Sequence, residues 1–427
     1  MTDYDALLHK EVLPALGCTE PVAVAYAAAW AKKTLGANVE RMEVLGSRNI
    51  LKNAMSVGIP GSDMAGLPIA AALGALCGRT DVGLEVLRDV TKEHEAEGRR
   101  LIEEGRITVK QKQDAEPLYI EVRVFGEGHS ATAIIRRSHT QVTDLILDDK
   151  VLKHEELSEP GQAKGEAADT SVHGIWRFIT TVPLDKLEFL QAGIDMNLAA
   201  ARKGLQGGYG MSVGHNIACT GTSSNILGSD MGTCAVATTA AACDARMAGA
   251  SVPVMSVAGS GNQGLVCMLP VTVFAQKSSA GEEKLLRAVA LSCLITIHIK
   301  RGIGRLSALC GCGIAAAVGA SCGILYVLGG NEKQIQYAIK NMVANITGMV
   351  CDGAKAGCAV KVATAVSAAV QCAVLAMNNV YVPDIDGIVD SDVEKTIDNL
   401  GSVGRDGMAQ ADQLILDLMT NKVTSAS

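Results

Sequence analysis

Four cysteines in the second half of the chain have the residue type and the grouping needed to bind a metal. Cys310 and Cys312 are separated by one glycine, and Cys351 and Cys358 flank a glycine-bearing loop further along the chain. Zinc sites favour cysteine pairs with CxxC spacing, which this group lacks, whereas iron-sulfur clusters accept cysteines from separate elements at irregular spacing. Because cysteine is also a common core residue, the pattern alone leaves buried core cysteines and a metal site as open alternatives.

A further cysteine, Cys18, lies in the segment Gly17-Cys18-Thr19-Glu20-Pro21. Proline lacks a backbone donor and restricts the residue before it, so we expect a break between two helices here, with Cys18 at the start of the second. A thiol near a helix N-terminus can have a lowered pKa and exist as the thiolate. The alternatives are that Cys18 is a packing residue or an additional metal ligand.

Arg48, Asn49, Lys52 and Asn53 form a polar group directly after a predicted strand. Their guanidinium, ammonium and amide groups are suited to binding the carboxylate and ammonium of a small amino acid. By composition alone, an ordinary solvated loop is the simpler interpretation.

Ser260, Gly261, Asn262 and Gln263 lie in a glycine-rich break between apolar segments. Their backbone N–H groups can form a nest that binds a carboxylate, and a plain turn between buried helices is the equal alternative. The surrounding letters formally match GxGxxG, but no strand-helix-strand unit with a later acidic residue is visible around them. A dinucleotide site is therefore weakly supported.

The histidines add no second catalytic or metal-binding group. None of them has the HxxxH spacing of a metal site or the arrangement of a triad. We expect structural or exposed positions for His129, His139, His215 and His298.

Composition excludes several classes of protein. The formal net charge is -7, with 38 Lys and Arg against 45 Asp and Glu, so no basic surface for nucleic acid is expected. The segment from Met1 to Lys10 has no apolar run, which predicts that there is no secretory signal and that the protein is cytoplasmic. The 13 cysteines are an odd number in a reducing compartment, so we do not expect a disulfide framework.

One uncharged stretch, Leu306 to Asn331, is long enough on hydropathy to suggest a membrane span of about 20 residues. Its Gly, Ala, Ser and Cys content makes it weakly apolar, and it lacks aromatic belts at its ends. We therefore predict a buried helix in a large helical core. A non-catalytic membrane or structural protein is kept as the alternative.

The periodicity predicts an α+β protein with a small N-terminal α/β domain that contains antiparallel strands and a large, mainly helical C-terminal domain. The N-terminal predictions are a helix over 5–37 with a break at Pro14 and at 17–21, a strand over 39–45, a polar loop over 47–60, a helix over 64–77, and a hairpin of 119–124 with 131–135. The C-terminal predictions are helices over 184–204, 235–248, 282–298, 314–328, 332–349 and 360–377. A charged, non-periodic segment over 155–169 predicts a boundary near Thr170, with domains of 1–170 and 171–427.

The sequence resembles the L-cysteine desulfidase family, which is related to the alpha domain of the iron-sulfur L-serine dehydratases. The resemblance is carried by segments spread over nearly the whole chain. These are Gly17-Cys18-Thr19-Glu20-Pro21, Ser47-Arg48-Asn49-Ile50-Leu51-Lys52-Asn53, Ala258-Gly259-Ser260-Gly261-Asn262-Gln263-Gly264, Gly304-Arg305-Leu306-Ser307-Ala308-Leu309-Cys310-Gly311-Cys312 and Cys351 through Cys358.

This resemblance implies a 4Fe-4S cluster with one iron open to the substrate. The matching ligand positions are Cys310, Cys351 and Cys358, and Cys312 is a rival for the first of them. The implied activity is β-elimination of L-cysteine to pyruvate, ammonia and hydrogen sulfide without pyridoxal phosphate. The serine dehydratases have a wider gap between the last two ligands, so dehydration of L-serine is the alternative.

The resemblance also implies roles for the other polar residues. Cys18 becomes the candidate base for the α-proton, and the loop that begins at Arg48 is expected beside the cluster, where it would bind the substrate. The expected partner is a small amino acid, with neither nucleic acid nor membrane. The oligomeric state is left open, a homodimer included.

Overall fold

The computed structural model of the chain describes residues 2–157, 170–218, 226–304 and 307–424. Its α-helices are α1 (Tyr4–Glu11), α2 (Thr19–Leu35), α3 (Arg48–Ala54), α4 (Leu67–Cys77), α5 (Lys92–Glu103), α6 (Val172–Thr181), α7 (Phe189–Leu205), α8 (Val213–Ala218), α9 (Met231–Met247), α10 (Gly261–Lys277), α11 (Glu282–Ile303), α12 (Ala315–Val327), α13 (Glu332–Ile346), α14 (Cys358–Met377), α15 (Val393–Ser402) and α16 (Ala409–Thr424). Its strands are β1 (Val12–Leu16), β2 (Arg41–Gly46), β3 (Ile107–Gln111), β4 (Tyr119–Gly126), β5 (His129–Arg136), β6 (Val142–Leu147), β7 (Lys150–His154) and β8 (Pro253–Val257). The predicted α+β class is confirmed.

The N-terminal strands form one six-stranded sheet with the order β3-β2-β4-β5-β6-β7. Only β2 and β3 are parallel, and the other neighbours are antiparallel. The predicted hairpin is confirmed, because β4 and β5 pair antiparallel around a tight turn at Glu127 and Gly128. Apolar residues of this sheet pack with α2 and α4 in a core of their own.

Two N-terminal predictions were wrong. The segment Val12–Leu16 is a strand that pairs antiparallel with β8, whereas a helix was predicted there. The predicted polar loop after β2 begins with a helix, α3, because the Ser47 side chain caps it by accepting a hydrogen bond from the Ile50 backbone N–H. The Asn and Ser residues of this segment favour a loop. Ser47 is instead the cap of α3, and Asn53 faces a cavity.

The helices of the second half pack around a larger core, which also includes residues of the chain's first helix and strand. Tyr4, Leu7 and Leu8 of α1 are buried in it, and β1 joins it through β8. The division into domains at residue 170 stays a prediction, and most of the predicted linker, 158–169, lies outside the described residues.

The uncharged stretch contains α12, whose residues are almost all buried inside the protein, as predicted. Among the described residues α12 is too short to cross a membrane, whereas one helix, Cys358–Met377, is long and apolar enough to do so by length and composition alone. Half of its most apolar window, 50%, is buried within the protein, and a core helix passes the same criterion. This single helix is weak evidence for a membrane span.

Candidate active site

A cavity of about 90 Å³ lies where the starts of α2 and α10 meet the loops before α12 and α14. This is several times the space that one water molecule needs. The predicted residues that line it are Cys18, Asn53, Ser260, Asn262, Gln263, Cys310, Cys312, Cys351 and Cys358. Residues from opposite ends of the chain therefore meet at one cavity.

Backbone pairing holds the two cysteine-bearing loops together. The Cys310 N–H donates to the Met349 carbonyl at 2.9 Å, and the Cys351 N–H donates to the Ala308 carbonyl at 2.7 Å. Cys358 is the first residue of α14, and its N–H donates to the Lys355 carbonyl at 2.9 Å. These bonds fix the positions from which the thiols face the cavity.

The thiols have different surroundings. The sulfurs of Cys310 and Cys312 are 3.5 Å apart, and both residues are buried. Cys358 is also buried, with its sulfur 3.7 Å from the Gly353 carbonyl oxygen. The partly exposed Cys351 has its sulfur 3.9 Å from the side-chain oxygen of Asn53.

The four thiols differ in the direction in which their surroundings shift the pKa. A hydrogen bond from the Cys312 thiol lowers the pKa of Cys310 to about 7, and the Gly313 N–H and two nearby lysines act in the same direction against burial. Donating that bond, together with burial, raises the pKa of Cys312 well above its usual value. Burial raises the pKa of Cys351, and it raises the pKa of Cys358 to about 11. Metal binding would therefore displace protons from most of these thiols.

Two lysines bring positive charge close to the four thiols. Burial lowers the pKa of the Lys300 ammonium to about 8, although Cys351 and Cys310 act against this effect. The Lys300 ammonium lines the cavity and donates to the Gly304 carbonyl at 2.6 Å. Lys361 donates to the Val350 carbonyl at 2.9 Å and pairs with Asp352. Such cations favour the thiolate state that a metal ligand requires.

Cys18 is the N-cap residue of α2, which confirms its predicted position at a helix start. The expected lowering of its pKa was wrong. Burial and the neighbouring Glu20 carboxylate raise the pKa of the Cys18 thiol well above its usual value, and these effects outweigh the opposing charge of Arg246. Cys18 is therefore a protonated thiol that donates to Oε2 of Glu20 at 3.2 Å.

Glu20 is the centre of a buried hydrogen-bond network. Its Oε2 also accepts from the Thr19 hydroxyl at 2.9 Å, and its Oε1 accepts from the Asn53 amide at 3.0 Å. Burial raises the pKa of this carboxyl, but the charge of His139 and the hydrogen bonds from Cys18 and Thr19 prevail and lower it. The Cys18 thiol is thus protonated, and it donates to the ionised carboxylate of Glu20.

Arg246 of α9 brings a buried positive charge to the cavity. It is 3% exposed, and it donates to the Asn262 side-chain oxygen at 3.0 Å and to the Gly17 carbonyl at 2.8 Å. A Cβ on Gly261 would lie 2.3 Å from its Nε, so a larger residue there would displace this guanidinium. Gly261 thus has a steric role beside the cavity, and Arg246 joins two of the segments singled out in the sequence.

Gln263 is 2% exposed, and its Oε1 has no hydrogen-bond partner among the described residues. A Cβ built on Gly311 would lie 3.1 Å from this oxygen, so the amide faces the loop between Cys310 and Cys312. Ser260 is the N-cap residue of α10 and makes no side-chain capping bond. These polar groups are available to a ligand of the cavity.

Three of the four polar residues predicted after β2 do not line the thiol cavity. Arg48 and Asn49 line a neighbouring pocket, and the Lys52 ammonium is 1% exposed and forms an ion pair with Asp412 of α16. Only Asn53 lines the thiol cavity directly. Arg305 and Leu306, which carry part of the resemblance, lie outside the described residues.

Arg246, Lys300 and His139 also line the cavity, but no functional role was predicted for them from the sequence. His139 was expected to be structural or exposed, and it is a residue of the cavity wall that is 6% exposed. Glu20 was part of a quoted segment without a role of its own. A signal was present for Arg246 and Lys300, because a charged residue among apolar helix positions is rarely buried without a purpose.

The donor set fits an iron-sulfur cluster. Soft thiolates are the usual ligands of such clusters, and four thiols with nearby cations line this one cavity. Among the described residues, no group of three or more His, Cys, Asp and Glu side chains is gathered closely enough to hold a single metal ion. In a cluster each thiolate binds a different iron, so the sulfurs need not surround one point.

The loop between Cys351 and Cys358 depends on Gly353, which has a φ of 87° and would place a Cβ 2.2 Å from the Lys52 carbonyl oxygen. We expect Gly353→Ala to lower the free energy of unfolding by about 1–3 kcal/mol because the backbone must shift. The matched control is Gly357→Ala in the same loop, where a Cβ would meet only Lys355 Cε at 3.6 Å. Urea denaturation of both variants tests this, and equal stability losses would contradict it.

Buried thiols beside a carboxylate with a perturbed pKa and two buried cations are typical of an enzyme active site. The comparisons with known proteins agree with this class. The family model described as the serine dehydratase alpha chain matches residues 81–417. The chain therefore belongs to the serine dehydratase alpha chain family.

Relatives match over nearly their whole length. A UPF0597 protein of Bacteroides fragilis is 48% identical over 418 residues, which are 98% of this chain and 97% of the relative. UPF0597 proteins of Phocaeicola vulgatus and Clostridium perfringens are 47% and 41% identical and cover 98% of this chain, with 97% and 98% of their own lengths matched. These names state no activity, so the reaction has to be argued from the site.

Proposed function

We propose that the protein is an iron-sulfur lyase that catalyses β-elimination of a small L-amino acid, with L-cysteine as its substrate. The products would be pyruvate, ammonia and hydrogen sulfide. The observation that carries the proposal is the meeting of four thiols with the pair of Cys18 and Glu20 in one cavity. Membership of the serine dehydratase family supports the reaction class.

Cys310, Cys351 and Cys358 are the proposed ligands of a 4Fe-4S cluster, with Cys312 as the rival of Cys310. When bound, such a cluster with one iron not held by cysteine would supply a Lewis acid that binds the leaving group of the substrate. Cys310 and Cys312 remain alternatives, because their sulfurs are 3.5 Å apart and either thiol can donate the hydrogen bond between them. Lys300 and Lys361 balance part of the negative charge that three thiolates would bring.

Arg246 is the proposed partner of the substrate carboxylate. Its guanidinium is buried, lines the cavity, and has no carboxylate as a hydrogen-bond partner among the described residues. The side chains of Asn262 and Gln263 and the N-terminal end of α10 at Ser260 are placed to orient the same group. Asn53, whose amide donates to Glu20, also lines the cavity.

The pair of Cys18 and Glu20 is the proposed proton acceptor. Elimination breaks the bond from Cα to hydrogen and the bond from Cβ to sulfur, and it forms the double bond of 2-aminoacrylate. The α-proton goes to this pair, and the sulfur leaves with the bonding electrons as sulfide. The enamine then takes up a proton at Cβ and hydrolyses to pyruvate and ammonia. Because Cys18 is a protonated thiol, Glu20 must accept its proton before the thiol can act as a base.

L-Cysteine is proposed over L-serine because a thiolate leaving group is soft and suits iron. Dehydration of L-serine to pyruvate and ammonia is the second candidate, and the family's name favours it. We place the protein in the cytoplasm, with a small amino acid as its partner and without nucleic acid or membrane. A homodimer is compatible with this proposal.

The deciding experiment measures sulfide and pyruvate side by side. The chain is purified anaerobically, reconstituted with iron and sulfide, desalted, and supplied with L-cysteine or L-serine. We expect equal amounts of sulfide and pyruvate from L-cysteine and a much slower release of pyruvate from L-serine. Faster release from L-serine would support the dehydratase, and release from neither by protein that carries a full cluster would refute the lyase proposal.

A further inference from the structure

A second, larger pocket of about 490 Å³ lies beside the thiol cavity. Its wall is formed by the start of α3, by the segment after β3, by the end of α11 and by the start of α16. The volume is within the range of about 300–1,000 Å³ that is typical of small-molecule sites. Arg48 and Asn49, which the sequence singled out, face this pocket and not the thiols.

Arg48 brings an uncompensated positive charge to this pocket. Its Nε is buried and has no hydrogen-bond partner, and no described residue forms an ion pair with its guanidinium. The other charged groups of the wall are mostly engaged. Lys112 donates to Glu121 at 2.9 Å, Asp412 pairs with Lys52, and Arg405 donates to the Gly302 carbonyl. Asp114 lies on the exposed rim.

A buried donor without a partner is costly, so an anionic ligand would be stabilised at this point. A guanidinium matches a carboxylate in geometry, because two parallel N–H groups can bind its two oxygens. Asn49, Gln111 and Ser47 line the same pocket and offer hydrogen bonds to other polar atoms of the ligand.

The two cavities are neighbours. Ser307 lines both of them. Lys52 joins their walls, because its ammonium pairs with Asp412 of the larger pocket while its carbonyl oxygen lies against Gly353, which lines the thiol cavity. The pocket at Arg48 therefore adjoins the thiol cavity.

We propose that this pocket is a binding site for a small carboxylate, held by Arg48, on the way to or from the thiol cavity. The identity of the ligand as an amino-acid substrate or a 2-oxo acid product rests on the proposed function, whereas the carboxylate site itself does not. A regulatory carboxylate that binds in the same pocket would make the same contacts with Arg48.

The test is a calorimetric titration of the full-length, cluster-loaded protein with pyruvate. Arg48→Gln is expected to weaken pyruvate binding by about 10- to 100-fold, the effect of losing a charged hydrogen bond. The matched control is Lys112→Gln, which removes a charge from the same wall. Because Lys112 is already paired with Glu121, we expect this variant to weaken pyruvate binding by less than about threefold. Unfolding curves of both variants show whether they are folded.

A second control, Arg246→Gln, separates this pocket from the thiol cavity. Binding lost in Arg246→Gln and retained in Arg48→Gln would place pyruvate at the thiols and overturn the proposal. Equal weakening by Arg48→Gln and Lys112→Gln would also overturn it, because general charge would then explain the binding. If the lyase reaction fails but pyruvate binding still depends on Arg48, the carboxylate site stands without the proposed function.

Steady-state kinetics distinguish the two sources of the ligand. For a substrate in transit, Arg48→Gln is expected to raise the KM for L-cysteine by about tenfold while kcat changes by less than about twofold. For a regulator, pyruvate would change kcat of the wild-type protein and have no effect on Arg48→Gln. Either result supports the site, whereas unchanged kinetics together with unchanged pyruvate binding in Arg48→Gln refute it.

Discussion

Cys351→Ala is expected to yield a folded, colourless protein that releases no pyruvate. Cys351 lines the cavity and its backbone is held by the bond to Ala308, so the loop can keep its position while the thiolate is lost. Loss of a ligand should lower turnover by more than about 100-fold, the upper end of the effect of residues that only orient ligands. Iron content, visible absorption and pyruvate release of one anaerobic sample measure the three effects together.

The control for this prediction is Cys322→Ala. Cys322 is a fully buried cysteine of α12 that does not line the cavity. Its replacement leaves a small void and is expected to cost about 1 kcal/mol of stability while iron content and turnover are kept. Retained colour and turnover in Cys351→Ala would show that this thiol is not a ligand.

Cys18→Ser and Glu20→Gln are expected to keep the cluster and lose the exchange of the α-proton. Both variants leave the four thiols of the ligand group unchanged, and both remove the group that accepts the proton. Loss of a general base lowers turnover by about 10²- to 10⁴-fold. The measurement is the wash-out of deuterium from α-deuterated L-cysteine, followed by mass spectrometry.

Thr19→Val provides the matched control, because Thr19 donates to the same Glu20 oxygen at 2.9 Å without being a base. We expect it to slow exchange by less than about tenfold, the effect of one lost hydrogen bond. If Cys18→Ser exchanges and turns over normally while Glu20→Gln does not, Glu20 alone is the base. Normal exchange in both variants would reassign the role to another residue of the cavity, with Lys300 the first to test.

Local patterns were sufficient for much of the fold. The alternation in β4 and β5 and the glycine-bearing turn between them predict the hairpin because both signals act within a few residues. The helix start at Cys18 follows from Pro21 in the same way. Burial of α12 was predictable because its small residues leave no polar face.

Other features depend on contacts between distant parts of the chain. Val12–Leu16 is a strand only because β8, which is distant in sequence, pairs with it. The buried charges of Arg246 and Lys300 lie on helices whose letters do not show which face is turned to the cavity. The pKa of Cys18 shows the same limit, since its helix position favours a thiolate but burial beside Glu20 opposes it more strongly.

The site formed by the four cysteines was partly predictable from the sequence. Its residue types indicated thiolate chemistry, and the loops that carry it could be located between predicted helices. The separation of Arg48 from the thiols was not predictable, because α3 turns Asn53 toward the thiol cavity and Arg48 toward the neighbouring pocket. Residues on one short helix face different directions at each step.

Mössbauer spectroscopy of the protein reconstituted with ⁵⁷Fe tests the central claim most directly. The account predicts a 4Fe-4S spectrum in which one iron site changes when L-cysteine is added and the others do not, and no such spectrum for Cys351→Ala. A folded protein that converts L-cysteine to pyruvate while it contains no iron would contradict the account.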